Sequence, residues 1–317
     1  MQYFVLTLAY LLLVLNFCAQ NKAPFIFRLQ NKIVTKKMHK YVRHDTIIET
    51  SKAKIHIHYS QNSNKPYLLL LHGMGGNARL NWHMQVAYLS KYYNLLLPDL
   101  VYFGESTAKE NNYSVEFQVE QIREAIKILK IYDKINVMGF SYGGLTSALY
   151  NQLYPNEINK LIFVDAPVKF YSSKIADSLA HIVGAPSMTN VIVPQNIHEF
   201  KVMEKAVLSK KTMTTRRIKK QFMALYLIPN IQTRQHQMSY INEYQTKYQK
   251  YDYNLEKTPT LLLWGAKDGV VPLSVGENLK TYFPSTTKLI VYPKARHDTH
   301  FKYSKKLNKA VVNFLMN

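Results

Sequence analysis

The segment Gly139-Phe140-Ser141-Tyr142-Gly143 constrains this chain more than any other five residues. It stands between an apolar run, Ile135 to Gly139, and a small-residue stretch that begins at Gly143. The apolar run reads as a buried strand, and Gly143 to Leu153 as the helix that follows it. A serine between two such glycines sits on a turn so tight that a Cβ at either flank would clash. The turn lifts the hydroxyl above the sheet and aims helix-terminal amides at it.

The rest of the chain agrees with that frame. Lys54 to Tyr59 alternates with period two, the pattern of a half-buried strand. Tyr67 to Leu71 and Asn94 to Leu97 are short apolar runs ended by turn residues, as central parallel strands are. Leu80 to Lys91 between them reads as a helix. Ser114 caps a further helix whose apolar positions Val115, Val119, Ile122, Ile126 and Leu129 follow helical spacing. Strand Leu161 to Val164, strand Thr260 to Trp264, helix Leu273 to Phe283, strand Lys288 to Tyr292 and helix Lys305 to Phe314 complete the series. This alternation predicts an α/β fold with a doubly wound, mostly parallel sheet.

One stretch breaks the rhythm. Residues 167–257 hold no βαβ unit and read as helices with loops, a helical cap inserted between two strands of a core formed by residues 45–166 and 258–317. The insertion carries a basic cluster: Lys201, Lys205, Lys210, Lys211, Arg216, Arg217, Lys219 and Lys220. The whole chain of 317 residues has 41 Lys and Arg against 20 Asp and Glu, a formal charge of +21. Such a surface suits anionic membranes or nucleic acid, but no nucleic-acid recognition motif accompanies it, so no nucleic-acid partner is expected. With 47% hydrophobic residues the chain has material for a large core, which excludes a disordered or collagen-like polymer. A single cysteine excludes a disulfide framework. No phosphate- or dinucleotide-binding glycine motif is present, and no cofactor is expected.

Four motifs now fall in a familiar order. His72-Gly73-Met74-Gly75-Gly76 follows a strand. Asp99-Leu100-Val101-Tyr102-Phe103-Gly104-Glu105-Ser106 ends another. The Ser141 turn is third, and Trp264-Gly265-Ala266-Lys267-Asp268 followed by His297 is last. Over roughly residues 45–317 the chain resembles an α/β-hydrolase of the serine-nucleophile, esterase- or lipase-like branch with a helical cap. The resemblance implies a catalytic triad of Ser141, Asp268 and His297, with the amides of Met74 and Tyr142 as the oxyanion pair. The family often carries glycine before its histidine and glutamate a few residues after it; here Arg296 and Lys302 stand there.

The chemistry of these roles stands apart from the family. A serine hydroxyl is a poor nucleophile until a base takes its proton, and histidine both accepts and donates near neutrality. A carboxylate on the other ring nitrogen fixes the tautomer and stabilises the imidazolium. Arg296-His297-Asp298-Thr299-His300 offers two histidines, and His297 falls in the loop directly after the strand, whereas His300 adjoins the last helix.

The expected function is hydrolysis of a small-molecule acyl ester through an acyl-enzyme on Ser141. Hydrolysis of a C–C bond or an amide by the same triad is the second reading, and a non-catalytic binding protein on this scaffold the third. Haloalkane and epoxide hydrolysis are disfavoured, because those relatives place aspartate where this chain has Ser141. Asp99 reads as a structural hydrogen-bonding residue and His72 as a shaper of the oxyanion loop. Tyr102 and Phe103 fit the mouth of a pocket and simple packing equally well. His56 and His58 share one strand face, but no third ligand is evident. They read as a surface pair, and no metal is expected.

The amino terminus is separate from the core. Tyr3 to Phe17 is apolar but for Thr7, Asn16 and two tyrosines, shorter than the ~20 residues a spanning helix needs and close to a signal-peptide core. Leu15-Asn16-Phe17-Cys18 resembles a lipoprotein signal, although Phe17 replaces the usual small residue. Residues 1–20 are therefore expected to be a signal peptide, a lipidated segment or a short anchor, and the protein exported or membrane-associated. The tract from Asn21 to Arg43 is polar and basic and reads as lying outside the core.

Overall fold

The strand Tyr67–Leu71 carries four consecutive leucines, and the sheet uses both of its faces. Leu69 and Leu71 enter a core shared with Ile55, Val119, Ile122 and Leu145. Leu68 and Leu70 enter a second core with Trp82, Leu95, Leu97 and Val311. Side chains alternate across a strand, so a run apolar at every position is stable only where helices cover both faces.

The computed structural model describes residues 33–62, 64–210, 215–228, 231–243 and 245–317. The apolar segment Tyr3 to Phe17, Cys18 and Lys211 lie outside the described residues. Among those described, no helix is long and apolar enough to cross a membrane.

The strands are β1 (His44–Glu49), β2 (Ala53–Tyr59), β3 (Tyr67–Leu71), β4 (Asn94–Pro98), β5 (Thr107–Ala108), β6 (Ile135–Phe140), β7 (Ile158–Val164), β8 (Thr260–Gly265) and β9 (Thr287–Tyr292). They form one sheet in the order β1-β2-β4-β3-β6-β7-β8-β9, with β5 against β2. From β4 to β9 every neighbour is parallel, while β1, β2 and β5 pair antiparallel at one edge. The helices are α1 (residues 33–39), α2 (Ala78–Leu89), α3 (Val115–Ile128) and α4 (Tyr142–Leu153). Then come α5 (Ser173–Val183), α6 (Met188–Ile192), α7 (Ile197–Val207), α8 (Arg216–Phe222), α9 (Ile231–Glu243) and α10 (Gln245–Lys250), followed by α11 (Leu273–Tyr282), α12 (Thr299–Lys302) and α13 (Ser304–Met316). Ser114 caps α3, its hydroxyl accepting from Phe117 N at 3.1 Å.

The helices α5 to α10 are inserted between β7 and β8. Phe200 of α7 and Phe222 of α8 pack with ring centroids 5.1 Å apart and, with Met223 and Leu227, make a small core of their own. Polar ties hold the insertion to the sheet layer, among them Lys247 Nζ donating to Glu116 at 2.6 Å and Asn151 Nδ2 donating to Tyr253 O at 2.6 Å.

Three expectations are corrected. Lys219, counted in the basic cluster of the insertion, does not add to a basic surface, because its ammonium is buried in an ion pair with Glu204. The tract before β1 is not all outside the core: Val34, Met38 and Val42 are buried in the cluster that holds Leu95 and Leu97. β2 is not half-buried, since Ile55, His56, Ile57 and His58 are all buried. The antiparallel β1 and the helix α1 account for that. Together they cover the edge whose alternating polar positions look solvent-facing in the sequence.

Candidate active site

Ser141 takes its position from a strained turn. It lies between β6 and α4 at φ +52°, ψ −121°, in the left-handed range that non-glycine residues avoid. Its amide donates to Val164 O at 2.9 Å, which fixes the turn to β7. A Cβ on Gly143 would come 2.1 Å from Leu71 O, and one on Gly139 2.3 Å from Gly143 O. Only glycine permits this approach of helix to sheet.

The other two residues of the predicted triad arrive from the far end of the chain. Asp268 follows β8, and its Oδ1 accepts from Val270 N and Val271 N at 2.7 and 2.9 Å. Its Oδ2 is left for His297 Nδ1, at 2.8 Å. His297 Nε2 in turn lies 2.8 Å from Ser141 Oγ. The carboxylate sets the tautomer: Nδ1–H donates to Asp268, and Nε2 accepts from the serine hydroxyl. Burial opposes charge on His297, but the Asp268 carboxylate outweighs it and raises the imidazole above its ordinary value. An imidazole so held can take the serine proton as Oγ attacks an acyl carbon.

Met74 and Tyr142, the expected oxyanion pair, both border the cavity at Ser141. Tyr142 is the first residue of α4, and the first amides of a helix have no intrahelical acceptor. His72 is fully buried, its Nδ1 bonded to Gly73 O at 2.7 Å and its Nε2 accepting from Leu100 N at 3.0 Å. Burial holds it below its ordinary pKa. Neutral and doubly bonded, it ties the loop of Met74 to the turn after β4.

The cavity at Ser141 has two lobes. The smaller, about 70 Å³, is lined by Tyr171, Met188, Met238, Ile241, Val270 and Val271. The larger, about 150 Å³, is lined by Phe140, Phe200, Met203, Val207, Phe222 and His297. Met74, Ser141 and Ile192 border both. The insertion supplies most of the smaller lobe's wall and about half of the larger's. Tyr102 and Phe103 line neither lobe; Phe103 is buried against His72 with ring centroids 5.3 Å apart, so packing accounts for it.

Two site features carry no signal in the sequence. Asp298, next to His297, accepts from Ser209 N at 2.9 Å and from the Ser209 hydroxyl, tying the histidine loop to the insertion 89 residues earlier. Asp165, at the end of β7, is a second buried acid beside the triad. Its Oδ1 accepts from Gly265 N at 2.9 Å and Thr299 Oγ1 at 3.2 Å. Burial and then the Asp268 charge push its carboxyl well above the usual range.

At the antiparallel edge the reading of His56 and His58 as a surface pair fails. Both are buried, and Asp45 of β1 stands beside them as a third potential ligand. Burial disfavours charge on His56, yet the hydrogen bonds it donates to the Asp45 and Asp99 carboxylates carry its pKa up to about 10. Asp99 has the structural role expected of it: Oδ1 accepts from Ala78 N at 2.8 Å, and Oδ2 from His56 and, at 3.2 Å, from Glu105 N.

Known proteins bear on this arrangement. "Lipase 1" of Psychrobacter immobilis is 27% identical over 246 residues, covering 74% of this chain and 72% of its own. "Epoxide hydrolase 4" of Homo sapiens is 25% identical over 296 residues, covering 87% and 78%. The solved structure of a lipase candidate from Acinetobacter baumannii superposes with a TM-score of 0.77 at 20% identity, over 95% of this chain and 98% of that one. The family profile of the alpha/beta hydrolase fold matches residues 66–302, from just before β3 to the end of α12 and including Ser141, Asp268 and His297, and the chain belongs to that family.

Proposed function

We propose that the protein is a serine hydrolase of small carboxylic esters, with Ser141 as nucleophile, His297 as general base and acid, and Asp268 as the residue that orients His297. One observation carries the reading: the Ser141 hydroxyl, 2.8 Å from His297 Nε2, stands where two apolar lobes meet. An ester has an acyl group on one side of its reacting carbon and an alcohol on the other, and two lobes suit two apolar groups.

In this reading His297 takes the Ser141 proton as Oγ bonds to the carbonyl carbon. The negative oxygen then turns to the amides of Met74 and Tyr142, a term whose loss costs about 3 kcal/mol per donor. Collapse breaks the ester C–O bond, and the imidazolium gives its proton to the leaving alkoxide. Water, activated by the same histidine, releases the acid and restores the serine. The lipase relative favours this chemistry, and serine at the elbow argues against the epoxide route.

The test is covalent labelling by a fluorophosphonate, followed by turnover of p-nitrophenyl esters of graded length. Wild type should label stoichiometrically, and Ser141→Ala should lose both labelling and turnover while keeping its circular dichroism. Stoichiometric labelling of Ser141→Ala refutes the nucleophile, and labelling without turnover of any ester refutes the substrate class.

A further inference from the structure

The antiparallel edge of the sheet gathers a cluster that the triad does not use. Asp45 and His58 are direct cross-strand partners in the β1–β2 ladder, and His56 lies two residues on, so the three side chains share one face. His56 Nε2 is 2.7 Å from Asp45 Oδ1, and His58 Nδ1 is 3.4 Å from the same oxygen. From α1, His39 Nε2 reaches to 3.6 Å from Asp45 Oδ2. Glu105 Oε1 is 3.8 Å from His56 Nε2.

These separations suit ligands around a common ion. With bonds of about 2.0–2.1 Å and tetrahedral angles, neighbouring ligand atoms sit roughly 3.3 Å apart. The His58–Asp45 Oδ1 pair is already at about that spacing, and Asp45, His56 and His58 hold their ligand atoms within 4.8 Å of one another. His39 Nε2 stands by the other carboxylate oxygen, Oδ2, and has to turn in to complete the set. The His56–Asp45 pair, now hydrogen-bonded at 2.7 Å, has to open by about 0.6 Å. His56 is also oriented for the task, because its Nδ1–H donates to the buried Asp99 at 2.8 Å. A buried carboxylate on the far nitrogen fixes the tautomer that presents Nε2 to a metal, the usual support of a ligating histidine.

The surroundings fit a cation. Asp45, Asp99 and Glu105 outnumber the one nearby guanidinium, Arg79, which donates to Thr35 Oγ1 at 2.6 Å. His56 and His58 are buried, whereas Asp45 and His39 are partly exposed, so an ion can enter from the α1 side without moving the core. Imidazoles with one carboxylate match zinc better than calcium or magnesium, which favour all-oxygen shells.

We propose that Asp45, His56 and His58, with His39 as fourth ligand, form a structural zinc-class metal site. The ion replaces the proton between His56 and Asp45 and clamps α1 and β1 to the sheet edge. The site is independent of ester hydrolysis and stands or falls separately from it.

The full chain, stripped with a chelator, is titrated with Zn²⁺ by calorimetry and melted with and without the metal. We expect one tight equivalent, release of protons on binding, and a melting temperature raised by about 5 °C. Asp45→Asn and His58→Ala should each lose the tight equivalent and the thermal shift. His39→Ala, at a partly exposed position that the fold tolerates, should weaken binding at least about tenfold, the effect of losing one metal contact. His297→Ala should leave zinc binding intact, separating this site from the triad acids. The proposal is overturned if the stripped protein takes up no tight equivalent, or if binding survives in His39→Ala and His58→Ala but is lost in His297→Ala.

Discussion

His297 Nε2 stands 2.8 Å from Ser141 Oγ although 156 positions separate the two residues. Three positions further on, His300 is just as buried but faces only rings: Phe301 at 3.9 Å, Phe140 at 4.1 Å and Trp82 at 5.5 Å between centroids. Burial holds it well below its ordinary pKa, so it is neutral. His297→Ala is therefore expected to lower kcat by roughly three orders of magnitude or more, as loss of a triad member does. His300→Leu keeps an apolar ring site filled and should leave kcat within about threefold. Steady-state kinetics on one ester, with circular dichroism as the check on folding, decide between them. Reversed losses would make His300 the base.

The Asp268 contact also sets the pH dependence. On the proposed mechanism His297 works as a base only when neutral, so activity should rise with pH as it loses its proton. Its pKa is raised above 6.5, and the acidic limb of kcat/KM should lie above that value. In Asp268→Asn the charge that outweighed burial is gone, so the limb moves toward lower pH even as the rate falls. The rate of fluorophosphonate labelling against pH reads both enzymes on one scale. A limb that stays in place would show that Asp268 does not control the imidazole.

How much of this was open to sequence reading depended on whether the signal was local. The Ser141 turn, the cap at Ser114 and the strand ends at Asp99 and Asp268 are set by neighbours within a few residues, and local spacing located them. β1 was missed because His44 to Glu49 carries little apolar character; it is held in the sheet by its ladder to β2. The same long-range pairing buries His56 and His58, which local alternation assigns to solvent. Lys219 was misread for a related reason. Its partner Glu204 lies on another helix of the insertion, and the charge run around Lys219 does not reveal it. Asp165 and the Ser209–Asp298 tie depend on strand ends and loops that meet only in the folded chain.

Asp165 gives a prediction about stability. In the unfolded chain its proton leaves near pH 3.8, but in the fold burial and the Asp268 charge hold the proton to well above that. The folded state therefore binds more protons than the unfolded state across the interval between those two values. Stability must fall as pH rises through it. Asp165→Asn mimics the protonated acid, can still accept from Gly265 N and Thr299 Oγ1, and cannot ionise. Melting temperatures from about pH 4 to about pH 8 should decline more steeply for wild type than for the variant. Parallel curves would mean that Asp165 ionises normally.

On the proposed ester mechanism, the two lobes at Ser141 can be assigned by the proton that His297 would deliver. The leaving alkoxide has to lie within hydrogen-bond reach of Nε2, and His297 lines the larger lobe but not the smaller. The alcohol side of the ester thus belongs with Phe200, Met203 and Val207, and the acyl chain with Met238, Ile241 and Val270. Val207→Trp fills the larger lobe. It should lower kcat/KM for esters of long alcohols by about tenfold or more, a size consistent with losing an apolar binding site, while changing methyl and ethyl esters of the same acid little. Ile241→Trp fills the smaller lobe and should shorten the acyl chain accepted while leaving the alcohol profile in place. Two ester series, one varied on the acyl side and one on the alcohol side, measure both variants. If Val207→Trp shifts the acyl series and Ile241→Trp the alcohol series, the ester binds in the opposite sense. His297 would then have to reach the leaving oxygen from across the cavity.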